Sequence, residues 1–238
     1  MLGEFLEISV YSADVLDSLR FFERLGFTQV ATNDTWTHPY GVVTDGRCFI
    51  GIHGYKFPAP SLTFVAPELR KRIEPLENAG AQFEFLKLAD DEFHELGFFA
   101  PDEQMVTLLE ARTFSPPDPD ALHGSLLGFF AEYRIPVDDR DAAGAQWQRL
   151  GLIESEPVDA LHDTASLCCT GLNIGLTEAR RVKRPLLVFH AAGLHERLES
   201  LAARGIEPAS LLEDGGGQLR AAEINAPEGT AILVVNDA

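Results

Sequence analysis

The stretch SLTFVAPELRKRIEPLENAG, residues 61–80, recurs as LLVFHAAGLHERLESLAARG, residues 186–205. Leu62, Phe64, Ala66, Leu69, Arg72, Glu74, Leu76 and Gly80 fall on Leu187, Phe189, Ala191, Leu194, Arg197, Glu199, Leu201 and Gly205. The offset is 186 − 61 = 125, and it extends outward in both directions. Arg24-Leu25-Gly26 falls on Arg149-Leu150-Gly151, Gly46 on Gly171, Asp14 on Asp139 and Glu7 on Glu132. Towards the C-termini it grows by one, so that APDEQMVTLLE (100–110) meets APEGTAILVVN (226–236). A registry of this length marks a tandem duplication, which decides the architecture before any single element does. The first copy takes residues 1–113 and the second 126–238. Residues 114–125, built around SPPDPDALHG, form the linker, since three prolines forbid ladders or helix and the aspartates favour turns.

Each copy carries the same order of elements. EFLEISVY (4–11) alternates as a half-buried strand does. Val15, Leu19, Phe22 and Leu25 form one helical stripe closed by Gly26. Strands are expected near 28–33, 40–45 and 47–54, with Asp45-Gly46 as a hairpin turn. A strand at 61–66 feeds a helix over 67–79, with Pro67 at its first position, Gly80 as its stop, and Pro75 expected to kink or shorten it. Strands near 82–88, 95–100 and 104–111 complete the copy. The reading is an α+β chain of four βαβββ modules, two per copy, with a ferredoxin-like layer fold as the structural runner-up.

Composition narrows the function. The chain has 238 residues, 45% hydrophobic and 24% charged, as expected of a globular protein able to bury a core. Its 37 acidic and 19 basic residues give a net charge of −18. Such a surface repels nucleic acid and anionic membranes and favours cationic or polar ligands. No run of about 20 apolar residues is present to span a bilayer. The N-terminus shows neither a basic region nor a small-residue cleavage site, so the cytoplasm is expected. Cys48, Cys168 and Cys169 are too few for a disulfide framework, and the adjacent pair should point to opposite sheet faces.

Val10-Tyr11-Ser12-Ala13-Asp14, then Ser18-Leu19-Arg20-Phe21-Phe22 and Leu25-Gly26-Phe27, resembles the opening signature of vicinal oxygen chelate domains. Phe98-Phe99-Ala100-Pro101-Asp102-Glu103 running into Val106-Thr107-Leu108-Leu109-Glu110 resembles the closing strand of the same superfamily, that of glyoxalases, bleomycin-resistance proteins and extradiol dioxygenases. The second copy matches more weakly at its start and fairly at Ala226-Pro227-Glu228-Gly229. The resemblance implies two curled-sheet cups, the glyoxalase/bleomycin-resistance/dioxygenase fold. In enzymes of this family a divalent metal held by His, Glu or Gln side chains chelates vicinal substrate oxygens.

Carried onto this sequence, the first ligand position falls on Glu7 and on Glu132. The others fall near Gly51 and Gly175, at Pro60 or Ser61 and Pro185 or Leu186, and at Thr107 and Leu233. A catalytic metal needs about three protein ligands, and one carboxylate per cup does not supply them. His53 shares the face of Gly51 by the period of two, and His190 is placed to look inward in the second copy. Glu7 with His53, or Glu132 with His190, is then a pair expected either to hold a weakly bound ion or to act as an acid–base dyad. His38, His94, His123, His162 and His195 fall in apparent loops or on solvent-facing helix positions, without ligand spacing.

No nucleophile elbow, phosphate loop, Cys-x-x-Cys or dinucleotide fingerprint is present, and no residue is assigned a catalytic role. Trp36, Tyr40, Tyr55 and Phe57 offer stacking surfaces in the first copy. The expected function is metal-independent binding of a small molecule in the first cup, with Glu7, His53, Trp36, Tyr40, Tyr55, Thr107, Glu132 and His190 as candidate contacts and no cofactor. The alternative is a metal-dependent lyase, isomerase or dioxygenase with an atypical ligand set around Mn, Fe, Ni or Zn. Leu186 and Leu233 suggest a filled second cup. A monomer and a homodimer both fit, since two copies in one chain reproduce what single-copy relatives achieve by pairing.

Overall fold

The computed structural model describes residues 1–31, 37–111 and 124–237. Most of the expected linker and Trp36 lie outside them.

The strands form two eight-stranded sheets, one from each copy, with the same order. In the first copy β1 (Glu4–Tyr11), α1 (Val15–Arg24), β2 (Thr28–Val30), β3 (Tyr40–Thr44) and β4 (Phe49–His53) make one βαβββ module. The second module is β5 (Ser61–Ala66), a 3₁₀ turn (Leu69–Arg72), α2 (Ile73–Asn78), β6 (Gln82–Lys87), β7 (Glu95–Phe99) and β8 (Met105–Glu110). The sheet runs β2-β3-β4-β1-β5-β8-β7-β6. The second copy repeats this with β9 (Phe129–Val137), α3 (Arg140–Arg149), β10 (Ile153–Ser155), β11 (Thr164–Cys169) and β12 (Leu172–Glu178). Then follow β13 (Leu186–Ala191), α4 (Leu194–Ala202), β14 (Ser210–Glu213), β15 (Leu219–Asn225) and β16 (Ala231–Asn236). This is the tandem glyoxalase/dioxygenase fold, and the ferredoxin-like alternative falls away because each copy makes one eight-stranded sheet.

Helix starts follow local chemistry. Asp14 accepts the backbone N–H of Asp17 at 3.0 Å, and its counterpart Asp139 accepts that of Ala142 at 3.0 Å. Each cap satisfies one orphan donor of the first turn and contributes about 1 kcal/mol. The expected helix at 67–79 is shortened, as Pro75 led one to expect: a 3₁₀ turn over Leu69–Arg72 precedes α2, which takes only Ile73–Asn78. Pro67 stands outside it, and Pro75 occupies the third position of α2, where a missing N–H costs no hydrogen bond. The second copy has Ser200 in place of Pro75, and its helix runs unbroken from Leu194 to Ala202.

Sheet register sorts each strand into two faces. In the first copy Ile8, Leu62, Phe64, Val106, Leu108, Leu96 and Phe98 are all fully buried and share one apolar face. The opposite face takes the alternating positions Glu7, Ser9, Ser61, Thr63 and Thr107. The middle of each sheet contains a parallel pair, β5 with β8 and β13 with β16, as a crossover through a helix requires.

Packing divides the chain differently from the sheets. One compact unit comprises Met1–Ser9, Pro58–Pro116 and Arg134–Arg184, the other Val10–Phe57, Pro117–Tyr133 and Pro185–Ala238. Each unit therefore draws on both copies, and the division cuts β1 after Ser9 and β9 before Arg134. Within the second unit Phe189 of β13 meets Phe27 edge-on at 6.2 Å and Phe130 at 5.5 Å, joining the copies through an aromatic core.

Candidate functional site

Glu7 of β1 is buried on the polar face of the first sheet, 4% exposed. Ser9, two residues along and so on the same face, donates its hydroxyl to Glu7 Oε1 at 2.8 Å. Ser9 Oγ also lies 2.7 Å from Thr63 Oγ1. A serine has one hydroxyl hydrogen, already given to Glu7, so Thr63 donates to Ser9. The result is a one-directional chain from Thr63 through Ser9 to the Glu7 carboxylate. Beside it, Ser61 Oγ and Thr107 Oγ1 stand 2.9 Å apart, although 46 residues separate them, because the parallel pairing of β5 and β8 sets Thr107 opposite Thr63 and so diagonal to Ser61 on one face. Neither Ser9 nor Thr63 was foreseen as functional, though the period of two places Ser9 beside Glu7.

His53 ends β4, and Tyr40 begins β3 directly opposite it, the two ring centroids 4.5 Å apart. The hairpin continues one pair further, where Gly54 donates to the Pro39 carbonyl at 2.8 Å. His38 is thereby brought to Tyr55, ring to ring at 4.3 Å, and its Nε2 lies 3.1 Å from His53 Nδ1. Phe57 completes the group, 5.2 Å from Tyr55 and 5.6 Å from His53. By local pattern His38 falls in an apparent loop without ligand spacing, whereas the β3–β4 register counted outward places it against Tyr55. One imidazole of the pair donates and the other accepts, which needs at least one neutral ring. Burial, and then the facing His53, holds His38 below the ordinary imidazole value. His53 is itself buried, whereas Tyr55 is 42% exposed, so the cluster has one wet edge.

The second copy differs at the same positions. Leu186 and Leu233 are buried apolar residues on β13 and β16. His190 Nδ1 contacts Asp237 Oδ1 at 2.9 Å, and Glu132 is fully buried. Arg134 stands where the first copy has Ser9 and is wholly buried. Its Nη2 donates to Asp159 Oδ2 at 2.5 Å and its Nη1 to His162 Nδ1 at 2.9 Å. His162, 28 residues from Arg134 in sequence, thus gains a partner that local spacing does not reveal.

The donor set does not fit the metal centre implied by the superfamily resemblance. At two ligand positions of the first copy stand Ser61 and Thr107, neutral hydroxyls bonded to one another, and at the same two positions of the second stand Leu186 and Leu233. Among the described residues no group of three or more His, Cys, Asp or Glu side chains is placed to hold an ion. Cys169 is not poised as a nucleophile either. Burial and the neighbouring Cys168 push the Cys169 thiol up to about 11, leaving it protonated at neutral pH.

No family model matches the chain, and no curated protein matches it in sequence. Solved structures do match it in fold. A catechol 2,3-dioxygenase aligns over 100% of this chain and 90% of its own, at 16% identity and a TM-score of 0.60. A mutant homoprotocatechuate 2,3-dioxygenase from Brevibacterium fuscum aligns over 99% of this chain and 72% of its own, at 12% identity and a TM-score of 0.64. A mutant 4-hydroxymandelate synthase from Streptomyces coelicolor aligns over 99% and 94%, at 13% identity and a TM-score of 0.59. At such identities the likeness is one of fold.

Proposed function

Starting from the doubled vicinal oxygen chelate fold of this chain, we propose that it binds a small aromatic or cationic molecule without a metal, through the His38, Tyr40, His53, Tyr55 and Phe57 cluster of its first copy. The observation that carries metal independence is the Ser61–Thr107 hydrogen bond, two hydroxyls satisfying each other where a metal enzyme of this fold would present ligands. A neutral hydroxyl is a poor partner for a divalent transition ion, since protein ligands bind as thiolate, neutral imidazole or carboxylate. The cluster supplies what a small organic ligand needs: ring faces for stacking and a few fixed polar atoms. Net charge of −18 favours a cation, which the faces of Tyr40 and Tyr55 suit. A small molecule, not nucleic acid, is the partner this charge supports.

A second reading, a metal-dependent enzyme with an atypical ligand set, draws on the 3.1 Å approach of the His38 and His53 nitrogens. The two readings separate in one experiment. EDTA-treated and Mn-, Fe-, Ni- or Zn-supplemented protein is melted with benzyltrimethylammonium or catechol, and oxygen uptake is followed with catechol. Metal-free protein whose melting temperature rises with either probe supports binding, because a ligand selective for the native state stabilises it by mass action. Stoichiometric metal after purification, or metal-dependent oxygen uptake, overturns it.

A further inference from the structure

The segment between β10 and β11, residues 156–163 (EPVDALHD), is pinned by two arginines. Arg134 of β9 holds Asp159 and His162. Arg140, the first residue of α3, reaches the Asp163 carboxylate at 2.7 Å and its carbonyl at 2.9 Å. Asp159 also accepts the Leu161 N–H at 2.8 Å, so one carboxylate both shapes the segment and anchors it. Arg134 is 0% exposed and Asp159 nearly so, and this anchor lies inside the protein.

A guanidinium has only donors, so His162 Nδ1 must accept. The imidazole that closes this contact is neutral, with its proton on Nε2. A proton on Nδ1 would remove the acceptor and set two positive charges 2.9 Å apart. We propose that residues 156–163 form an acid-released latch on the second copy, closed on Arg134 while His162 is neutral and freed when His162 takes up a proton. The matching residue of the first copy is Ser9, which carries no charge, so the device belongs to the second copy alone.

The groups that face His162 are Arg134 from β9, Asp159 from its own segment and Arg181 beyond β12. Burial acts first, then Arg134 and Arg181, in holding its pKa down; Asp159 alone pulls the other way. The sign follows. The closed form binds fewer protons than the open form, so closure is fully favoured above the free imidazole value of 6.5 and is lost as pH falls below it.

Hydrogen–deuterium exchange of the intact chain at pH 7.5 and 5.5, corrected for the intrinsic chemical rate, tests this. Peptides covering 156–163 should lose protection up to about tenfold at pH 5.5, one unit below the free imidazole value. His162→Gln, whose amide oxygen accepts from Arg134 but does not titrate, should keep them protected at both values. Asp159→Asn should leave them exposed at both. Equal protection of the wild type at both pH values, or an acid loss that persists in His162→Gln, overturns the latch. Should that variant not fold, wild-type imidazole NMR decides: His162 must titrate with the midpoint of the segment's exchange, and separate midpoints overturn the proposal.

Discussion

Tyr40 and His53 are directly opposed residues of β3 and β4, and their rings approach to 4.5 Å. A cross-strand pair at this spacing is held by the sheet itself and needs no loop to keep it in place. Truncating either side chain therefore removes binding surface while leaving the ladder intact. Tyr40→Ala and His53→Ala are each expected to weaken binding of benzyltrimethylammonium or catechol about tenfold or more. Calorimetric titration measures this, with far-ultraviolet circular dichroism unchanged. Full affinity in both variants places the ligand elsewhere.

The Ser61–Thr107 pair should behave as a unit. Ser61→Ala strands the Thr107 hydroxyl and Thr107→Val strands Ser61, each costing about 1–2 kcal/mol, whereas the double substitution removes both partners and should cost little more than either single one. Chemical denaturation of the four proteins completes the cycle. Additive losses would mean that the two hydroxyls are not coupled.

Asp45 caps the β3–β4 turn by accepting the N–H groups of Arg47 and Cys48 at 3.0 and 2.8 Å. Burial, the largest influence, nonetheless raises its pKa above 3.8, against those hydrogen bonds. A raised carboxyl pKa favours the fold below the unfolded value and penalises it as pH rises through the folded one. Asp45→Asn keeps the acceptor oxygen and removes the buried charge. It should stabilise the protein by about 0.5 kcal/mol at pH 7, raising the melting temperature, and the gain should vanish below pH 4. A variant less stable at pH 7 contradicts this account.

Glu103 adopts φ +60°, and the corresponding residue of the second copy is Gly229 at φ +102°. A side chain in the left-handed region costs about 1 kcal/mol, partly offset by the greater chain entropy of an unfolded glycine. Glu103→Gly should raise stability by about 0.5 kcal/mol, and Gly229→Glu should lower it by more. Melting curves of both variants decide the matter.

The elements were legible because they rest on local patterns. The alternation of EFLEISVY became β1 over Glu4–Tyr11, and the stripe of Val15, Leu19 and Phe22 became the buried face of α1. Pro75 correctly marked a shortened helix: it takes the third position of α2, which begins two residues before it and spans only Ile73–Asn78. His38 was passed over because its partner lies across a hairpin whose exact register the residues 45–48 decide. The resemblance puts ligand positions at Pro60 or Ser61 and at Thr107, but the bond between Ser61 and Thr107 depends on a parallel pairing that local periodicity does not contain.

By itself, then, the sequence determined the duplication, the order of strands and helices, and which residues share a sheet face, since all of these follow from repeat offset and the periods of 2 and 3.6. Tertiary structure alone decided which residues meet. Arg134 found Asp159 and His162 across 25 and 28 positions, and Phe27 found Phe189 from the other copy. Such contacts come from the register of distant strands and the closing of loops, where burial summed over many side chains outweighs any local preference.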